Sequence, residues 1–202
     1  MYATVHQFRR SVAAESPGWG AALARDLHGS APAGSCTLAQ LAGLEGSVVA
    51  WWPTAEAAAG AAARRTPTGP TWLDAAAYEV VDDHAGSAAD RPPRVAQLTC
   101  FDGPRSAAEV AAADHAGRDR LWPAVRDVPG LVSVSVLREA DGGTIVLALA
   151  TDVATHEAVQ RAVFGTELLP DEDPALLRDP DRVQLATVVD VRLPVPAAGA
   201  SS

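Results

Sequence analysis

The sequence predicts an α+β protein in which two ferredoxin-like β-α-β-β-α-β repeats follow one another and close face to face as an intramolecular, barrel-like pseudo-dimer. The first observation behind this is an ungapped internal match. Gly46-Ser47-Val48-Val49-Ala50, with Thr54 and Arg64, falls on Gly143-Thr144-Ile145-Val146-Leu147, with Thr151 and Arg161, at a constant offset of 97 residues. Two copies can complete a structure that one copy leaves open. The second observation is that strand and helix signals follow the same order in both halves. The third is that the strands are apolar on both parities. Val132, Val134 and Val136 are flanked by Leu131 and Leu137, and Ile145 to Ala150 contains no polar residue. Such strands need cover on both faces. Helices supply one cover, and the second copy would supply the other.

The first repeat is expected over residues 1–82. Tyr2 to Phe8 is a run of β-formers without a breaker. Ser16-Pro17 reads as an N-cap followed by a proline suited to the first helical position. Trp19, Leu23 and Leu27 recur every four residues, an apolar stripe on a short helix that stops in Gly29 to Gly34. Cys36 to Leu44 and Ser47 to Trp52 are apolar strands, with Glu45-Gly46 as the hairpin signal between them. Glu56 to Arg65 is alanine-dense and helical, ended by Thr66-Pro67-Thr68-Gly69-Pro70, and Trp72 to Val81 closes the repeat as a strand. Residues 83–93 turn to Asp, Gly, Ser, Ala and Pro without periodicity, which reads as a linker.

The second repeat is expected over residues 94–193. Val95 to Phe101 matches Tyr2 to Phe8, with Val5 on Leu98, His6 on Thr99 and Phe8 on Phe101. Ser106 with Glu109 forms a capping box for a longer helix reaching about Arg126, broken by Pro129-Gly130. Leu131 to Arg138 and Thr144 to Ala150 form a hairpin turning at Asp141-Gly142-Gly143. A helix over Asp152 to Phe164 is capped by Thr151 or Asp152. Leu168 to Asp181 is an acidic, proline-flanked insertion without a counterpart in the first repeat. Val183 to Leu193 is the last strand, and residues 194–202 read as a disordered tail.

Composition excludes several function classes. Of 202 residues, 48% are hydrophobic and 20% charged, enough to build a core. No apolar run approaches the ~18 residues needed to span a bilayer, so no membrane partner is expected. The start, Met1-Tyr2-Ala3-Thr4-Val5-His6, lacks a basic region followed by an apolar stretch, so no secretion signal is expected. A net charge of −9 argues against nucleic acid, whose phosphates need a basic face. Cys36 and Cys100 sit singly in apolar strand contexts, as buried thiols suited to a reducing cytoplasm. There is no His-x-x-x-His or carboxylate cluster at metal-ligand spacing, no phosphate-binding glycine loop and no Gly-x-Ser-x-Gly elbow.

Met1-Tyr2-Ala3-Thr4-Val5 and the passage Leu121-Trp122-Pro123 … Val128-Pro129-Gly130-Leu131-Val132-Ser133 resemble the antibiotic biosynthesis monooxygenase-like group of the dimeric α+β barrel superfamily. In that group a first helix commonly ends in Pro-Gly before an apolar strand. The resemblance covers both repeats and is stronger in the second; Ala33-Gly34 stands where a first-repeat Pro-Gly would be. It implies a cleft between helices and sheet that holds a small aromatic or polyketide-like molecule. It also implies cofactor-independent oxygenation, in which the substrate anion itself reacts with oxygen, and no cofactor is expected. A cyclase or isomerase, or a binding module without chemistry, is implied as an alternative. Haem-degrading members carry a tryptophan and a ligating histidine on the second helix. Here the approximate tryptophan positions hold Ala61 and Ala158, and His156 is out of register.

An oxygenase of this type needs an apolar pocket, a base for a phenol or enol, and donors for the oxyanion. His6, on the first strand, is either that base or a partly solvated strand-end histidine; its counterpart Thr99 is the matching polar position. Trp51 and Trp52 point to opposite faces, and Trp52 either lines the cleft or fills the core. Trp72 and Tyr78 share a parity and either frame the cleft or fill an alanine-rich core. His115, Arg118 and Trp122 recur at helical spacings, so Arg118 could hold a substrate oxygen beside His115, or all three form a solvated face. The expected assembly is a monomer enclosing its own pseudo-dimer, or a homodimer of such chains.

Overall fold

A computed structural model describes residues 1–10, 18–29, 32–64, 66 and 69–194. The expected cap at Ser16-Pro17, and the tail beyond Pro194, lie outside the described residues. The chain divides into two compact units, Met1–Glu79 with Thr187–Ser202, and Val80–Ala186.

In the first unit, β1 (Tyr2–Arg9) runs antiparallel to β3 (Glu45–Trp52), from Tyr2↔Trp52 to Arg9↔Glu45. An Arg9–Glu45 ion pair at 2.6 Å closes the far end. β2 (Gly34–Gln40) pairs with β3, and β4 (Thr71–Ala85) pairs with the free edge of β1, giving the order β4-β1-β3-β2. α1 (Trp19–His28) connects β1 to β2, and α2 (Ala55–Ala62) connects β3 to β4. The element order β-α-β-β-α-β with this strand order is the ferredoxin-like arrangement.

Both helices are fastened by small or apolar residues. Leu23, Ala24 and Leu27 of α1 pack on Phe8 and Val48. Ala58 and Ala61 of α2 pack on Ala50 and Trp52, so an alanine face takes up the bulk of the tryptophan. α2 starts where the Thr54 hydroxyl accepts the Ala57 N–H at 3.2 Å. The hairpin between β2 and β3 turns over residues 41–44, with Gly43 at φ +92°, rather than at Glu45-Gly46. Gly46 serves another purpose. A Cβ there would lie 2.3 Å from the Leu38 carbonyl and 2.5 Å from the Phe8 ring, so only glycine lets these groups close over the strand.

β4 carries a bulge. Gln7 opposes Asp74, but the next residue, Phe8, opposes Trp72, leaving Leu73 unpaired. Residues directly opposite share a sheet face. Trp72 therefore turns to the face of Phe8, His6 and Thr4, while Tyr78, opposite Ala3, lies on the other face. The shared parity of Trp72 and Tyr78 does not survive the bulge. Both faces of β1 are closed to solvent: Thr4, His6 and Phe8 are buried on one, Ala3 and Val5 on the other.

In the second unit, β5 (Val95–Phe101) and β6 (Leu131–Arg138) flank β7 (Thr144–Ala150) antiparallel. The β-α-β-β-α-β order recurs, ending in β8 (Arg182–Arg192), whose residues from Thr187 onward group with the first unit. The long helix is interrupted. α3 (Ala107–His115) starts on the Ser106–Glu109 capping box, passes into a π-helical segment (Ala116–Leu121), and resumes as α4 (Trp122–Val125). Gly130, at φ +91°, ends the turn that follows; a Cβ there would meet the Thr155 hydroxyl at 2.3 Å. Asp152, not Thr151, caps α5 (Val153–Phe164) by accepting the Thr155 N–H at 2.8 Å.

One stretch read from composition alone differs in the structure. β4 continues to Ala85, and the Gly86 and Ala88 N–H groups bond the Val132 and Leu131 carbonyls, so much of 83–93 is pinned to β6. The insertion is also held. Arg120 reaches Glu172 through Nε at 2.8 and 3.0 Å and Thr166 through Nη1 at 2.8 Å, and Glu172 accepts the Leu169 N–H at 2.8 Å.

Candidate functional site

The first unit gathers a histidine–aromatic cluster between its sheet and its helices. The even positions of β1 face the helices, which sends Thr4, His6 and Phe8 to the same side. From β3, Trp52 joins them and donates its indole N–H to the Thr4 hydroxyl at 3.1 Å. From β4, the bulge delivers Trp72, whose ring stands edge-on to His6 at 5.7 Å and to Phe8 at 6.0 Å. From the last residue of α1 comes His28, edge-on to His6 at 5.2 Å and to Trp52 at 5.3 Å.

The two imidazoles differ in their bonding. His6, as the Nε2–H tautomer, donates to the Ala61 carbonyl of α2 at 3.2 Å. His28 is 1% exposed, and neither of its ring nitrogens has a hydrogen-bond partner among the described residues. Its backbone carbonyl accepts from Arg64 at 3.4 Å. A histidine at a helix C-terminus is ordinarily favoured as a cation, by roughly 1 kcal/mol. Burial outweighs that here. Desolvation, then the nearby His6 and Arg64, pushes the His28 pKa from 6.5 down to about 3, so the ring is neutral at physiological pH.

His28 went unrecognised in the sequence, although a signal was present. Gly20, Ala24 and His28 form a ridge at spacings of four beside the Leu23–Leu27 stripe, so the helix that buries the leucines also carries His28 inward. A Cβ on Gly20 would meet Val189 at 2.8 Å, which shows how closely α1 lies on the strands.

The other sequence candidates are dispersed. Tyr78 is on the opposite sheet face from the cluster. Thr99, the counterpart of His6, accepts from the Gln97 side chain at 3.0 Å. His115 is bridged between Asp119 at 2.7 Å and Asp171 at 3.3 Å. These two carboxylates, Asp171 first, raise its pKa. It borders a cavity of about 250 Å³ with Asp171, Glu172, Leu176 and Leu177. Arg118, 63% exposed, is spent on Asp119 through Nε and Nη2. Trp122 stacks on His84 at 4.3 Å and 10°. The π-helical segment between His115 and Trp122 breaks the 3.6-residue period on which their shared face was reckoned.

No family profile and no curated protein sequence matches this chain. Solved structures do match in fold. A candidate monooxygenase from Fusobacterium nucleatum aligns with a TM-score of 0.63 at 7% identity, over 94% of this chain and 93% of that one. An anthrone oxidase-like protein aligns with a TM-score of 0.58 at 13% identity, over 100% and 96%. A ferredoxin-fold protein from Listeria monocytogenes, related to antibiotic biosynthesis monooxygenases, aligns with a TM-score of 0.51 at 7% identity, over 92% and 94%. The chain is thus an α+β protein of the ferredoxin-like kind, and the resemblance carried by its Trp-Pro and Pro-Gly passages holds at the level of fold. Among the described residues, no helix is long and apolar enough to cross a membrane.

The residues do not fit the haem that the resemblance also brings to mind. Ala61 is 1% exposed and packed on Trp52, and His156 is 2% exposed on α5. Burial lowers the His156 pKa, against the Val95 backbone and Asp152, which raise it. A ligating imidazole must face an open slot, and the His156 ring, at 2% exposure, is packed into the protein instead.

Proposed function

We propose that the first unit is a small-molecule oxygenase of the cofactor-independent type, acting on a planar aromatic substrate at the His6–His28–Trp52–Trp72 cluster. The observation that carries this is His28. Leaving two imidazole nitrogens buried and unbonded costs about 1–3 kcal/mol. His156 is left in the same state, but His28 stands against a second imidazole and an indole ring, and such groupings mark sites where a ligand completes the bonding. In this reading Trp52 and Trp72 flank the substrate ring. His28 takes the proton from an enolisable carbon, and His6 hydrogen-bonds the oxyanion. The carbanion passes an electron to oxygen and the pair recombines as a peroxide. Loss of water leaves a carbonyl: one methylene and one O₂ become one carbonyl and one H₂O. The free His28 is a weak base. An enolate forming beside it is the opposite charge that lifts its pKa by about 1–3 units.

The two halves are proposed to be tandem copies of one folding unit. The recurrence of the β-α-β-β-α-β order supports this. Only the first copy keeps the cluster, since Gln97 and Thr99 replace Thr4 and His6 in the second. The two buried free thiols support a reducing cytoplasm.

A second reading rests on the closure of the cluster. His6 and His28 are 0% and 1% exposed, so a ligand enters only by displacing a neighbour such as the half-buried Trp72. A binding module without turnover fits that closure. Oxygen uptake with anthrone, without flavin or metal, separates the two. Uptake that disappears in His28→Leu, with the fold kept, supports the oxygenase. Saturable anthrone binding without uptake favours the module, and neither sinks both.

A further inference from the structure

The second unit carries a groove of about 400 Å³ between the first turns of α3 and the β6–β7 hairpin. Its floor is apolar, made by Ala107, Val110, Ala111 and Gly142. Arg105, Arg138, Asp114, Glu139 and Asp141 stand at its rim. The two arginines are not equivalent. Arg138 is committed to Asp114, with its guanidinium forked onto both carboxylate oxygens.

Among the described residues, Arg105 makes no ion pair with a carboxylate. Its guanidinium lies 5.6 Å from the Phe101 ring centre, and Nη2 donates to the Glu109 backbone carbonyl at 3.3 Å. The nearby acids are otherwise engaged. The Glu109 carboxylate accepts the Ser106 N–H at 2.8 Å and its O–H at 2.7 Å. Asp141 accepts the Gly143 N–H at 3.0 Å. The Nε–H groups of Arg105 and Arg138 are buried without an acceptor. Burial depresses the Arg105 pKa, and the charges of Arg178 and Arg138 act in the same direction against Glu109. In a chain with 25 acidic and 16 basic residues, a cation over an aromatic ring without a direct ion pair is unusual. It is also pre-aimed, because the ring and the carbonyl already fix its fork.

We propose that this groove binds a small monocarboxylate with a short apolar body, the carboxylate on Arg105 and the body on Ala107, Val110 and Ala111. A guanidinium fork matches a carboxylate or a phosphate in two parallel bonds. The rim decides between them: Asp114, Glu139 and Asp141 repel a dianion more than a monoanion, and the apolar floor offers phosphate nothing. The volume suits a ligand at the small end of the usual pocket range, which starts near ~300 Å³. The site is separate from the histidine cluster and stands whether or not that cluster is catalytic.

The test is a titration of the intact protein with benzoate, benzamide and inorganic phosphate, followed by the NMR signals of the arginine Nε–H groups. Benzoate is expected to shift the Arg105 signal with a dissociation constant of about 1 mM. Benzamide, the neutral isostere, and phosphate should each bind about tenfold or more weakly. Arg105→Gln should abolish benzoate binding, and Arg105→Lys should keep part of it, with the folded spectrum preserved in both. Benzoate binding unchanged in Arg105→Gln, equal binding of benzamide, tighter binding of phosphate, or no shift at saturating benzoate would each overturn the proposal.

Discussion

Replacing His28 by leucine should make the protein more stable and remove much of its acid sensitivity. In the folded chain His28 accepts its proton only near pH 3, against 6.5 ordinarily. As pH falls, the unfolded chain therefore binds that proton first, and acid favours unfolding. The contribution of neutral His28 is complete above about pH 6.5, shrinks through the interval, and is gone below about pH 3. At 1.36 kcal/mol per unit, the whole shift is worth roughly 5 kcal/mol, of which about 3 kcal/mol is lost by about pH 4. Urea unfolding followed by tryptophan fluorescence, at about pH 8 and about pH 4, reads this as the difference between wild type and His28→Leu. Carboxylates and His156 titrate in both proteins and cancel. At about pH 8 the variant should gain about 1–3 kcal/mol, because two unbonded nitrogens leave the interior. Parallel pH profiles, or a variant weaker than wild type at neutral pH, would refute the reasoning. A stabilised but inactive variant would be the signature of a residue kept for function.

Four further outcomes follow from the packing. Glu172→Ala strands Arg120, 13% exposed, beside a lost partner that is 1% exposed, and should cost about 3–5 kcal/mol by urea midpoint. A double cycle with Arg120→Ala should recover part of that loss. His115 should titrate above its ordinary 6.5 by NMR because of Asp171 and Asp119, and Asp171→Asn should bring it back toward that value. What that pairing contributes is present below the unfolded pKa and is lost as pH rises through the folded one. Gly46→Ala should lower the melting temperature by an amount equivalent to about 1–3 kcal/mol, since its Cβ meets backbone at 2.3 Å. Gly60→Ala, on α2 with nothing within 4 Å, should instead gain about 0.5–1 kcal/mol.

Part of the site was legible because its signals are local. His6 was singled out on the first strand, and adjacency on β3 separated Trp51 from Trp52. The capping box at Ser106 and the stop at Pro129-Gly130 are written in residues three or fewer apart, and the structure has both. Other features were misplaced because their cause is distant. Glu45-Gly46 has turn chemistry, yet Gly46 is required by Phe8, a residue on another strand. The composition of 83–93 is that of a linker, yet its amides find carbonyls on β6.

The amino-acid sequence by itself determined the element order, the repeated β-α-β-β-α-β pattern, the capping box at Ser106 and the two-sided apolar strands, because each depends on periodicity within a few residues. Only the tertiary structure decided which polar groups meet. A single unpaired residue, Leu73, turns Trp72 toward His6 and leaves Tyr78 facing away. The π-helical turn separates Trp122 from His115. The packing of α1 sets His28 against His6, 22 positions away along the chain. Side chains alternate every residue in a strand and every hundred degrees in a helix. One added residue therefore redirects everything beyond it, and whether that residue is tolerated is settled by the partner strand or helix, not by the segment that contains it.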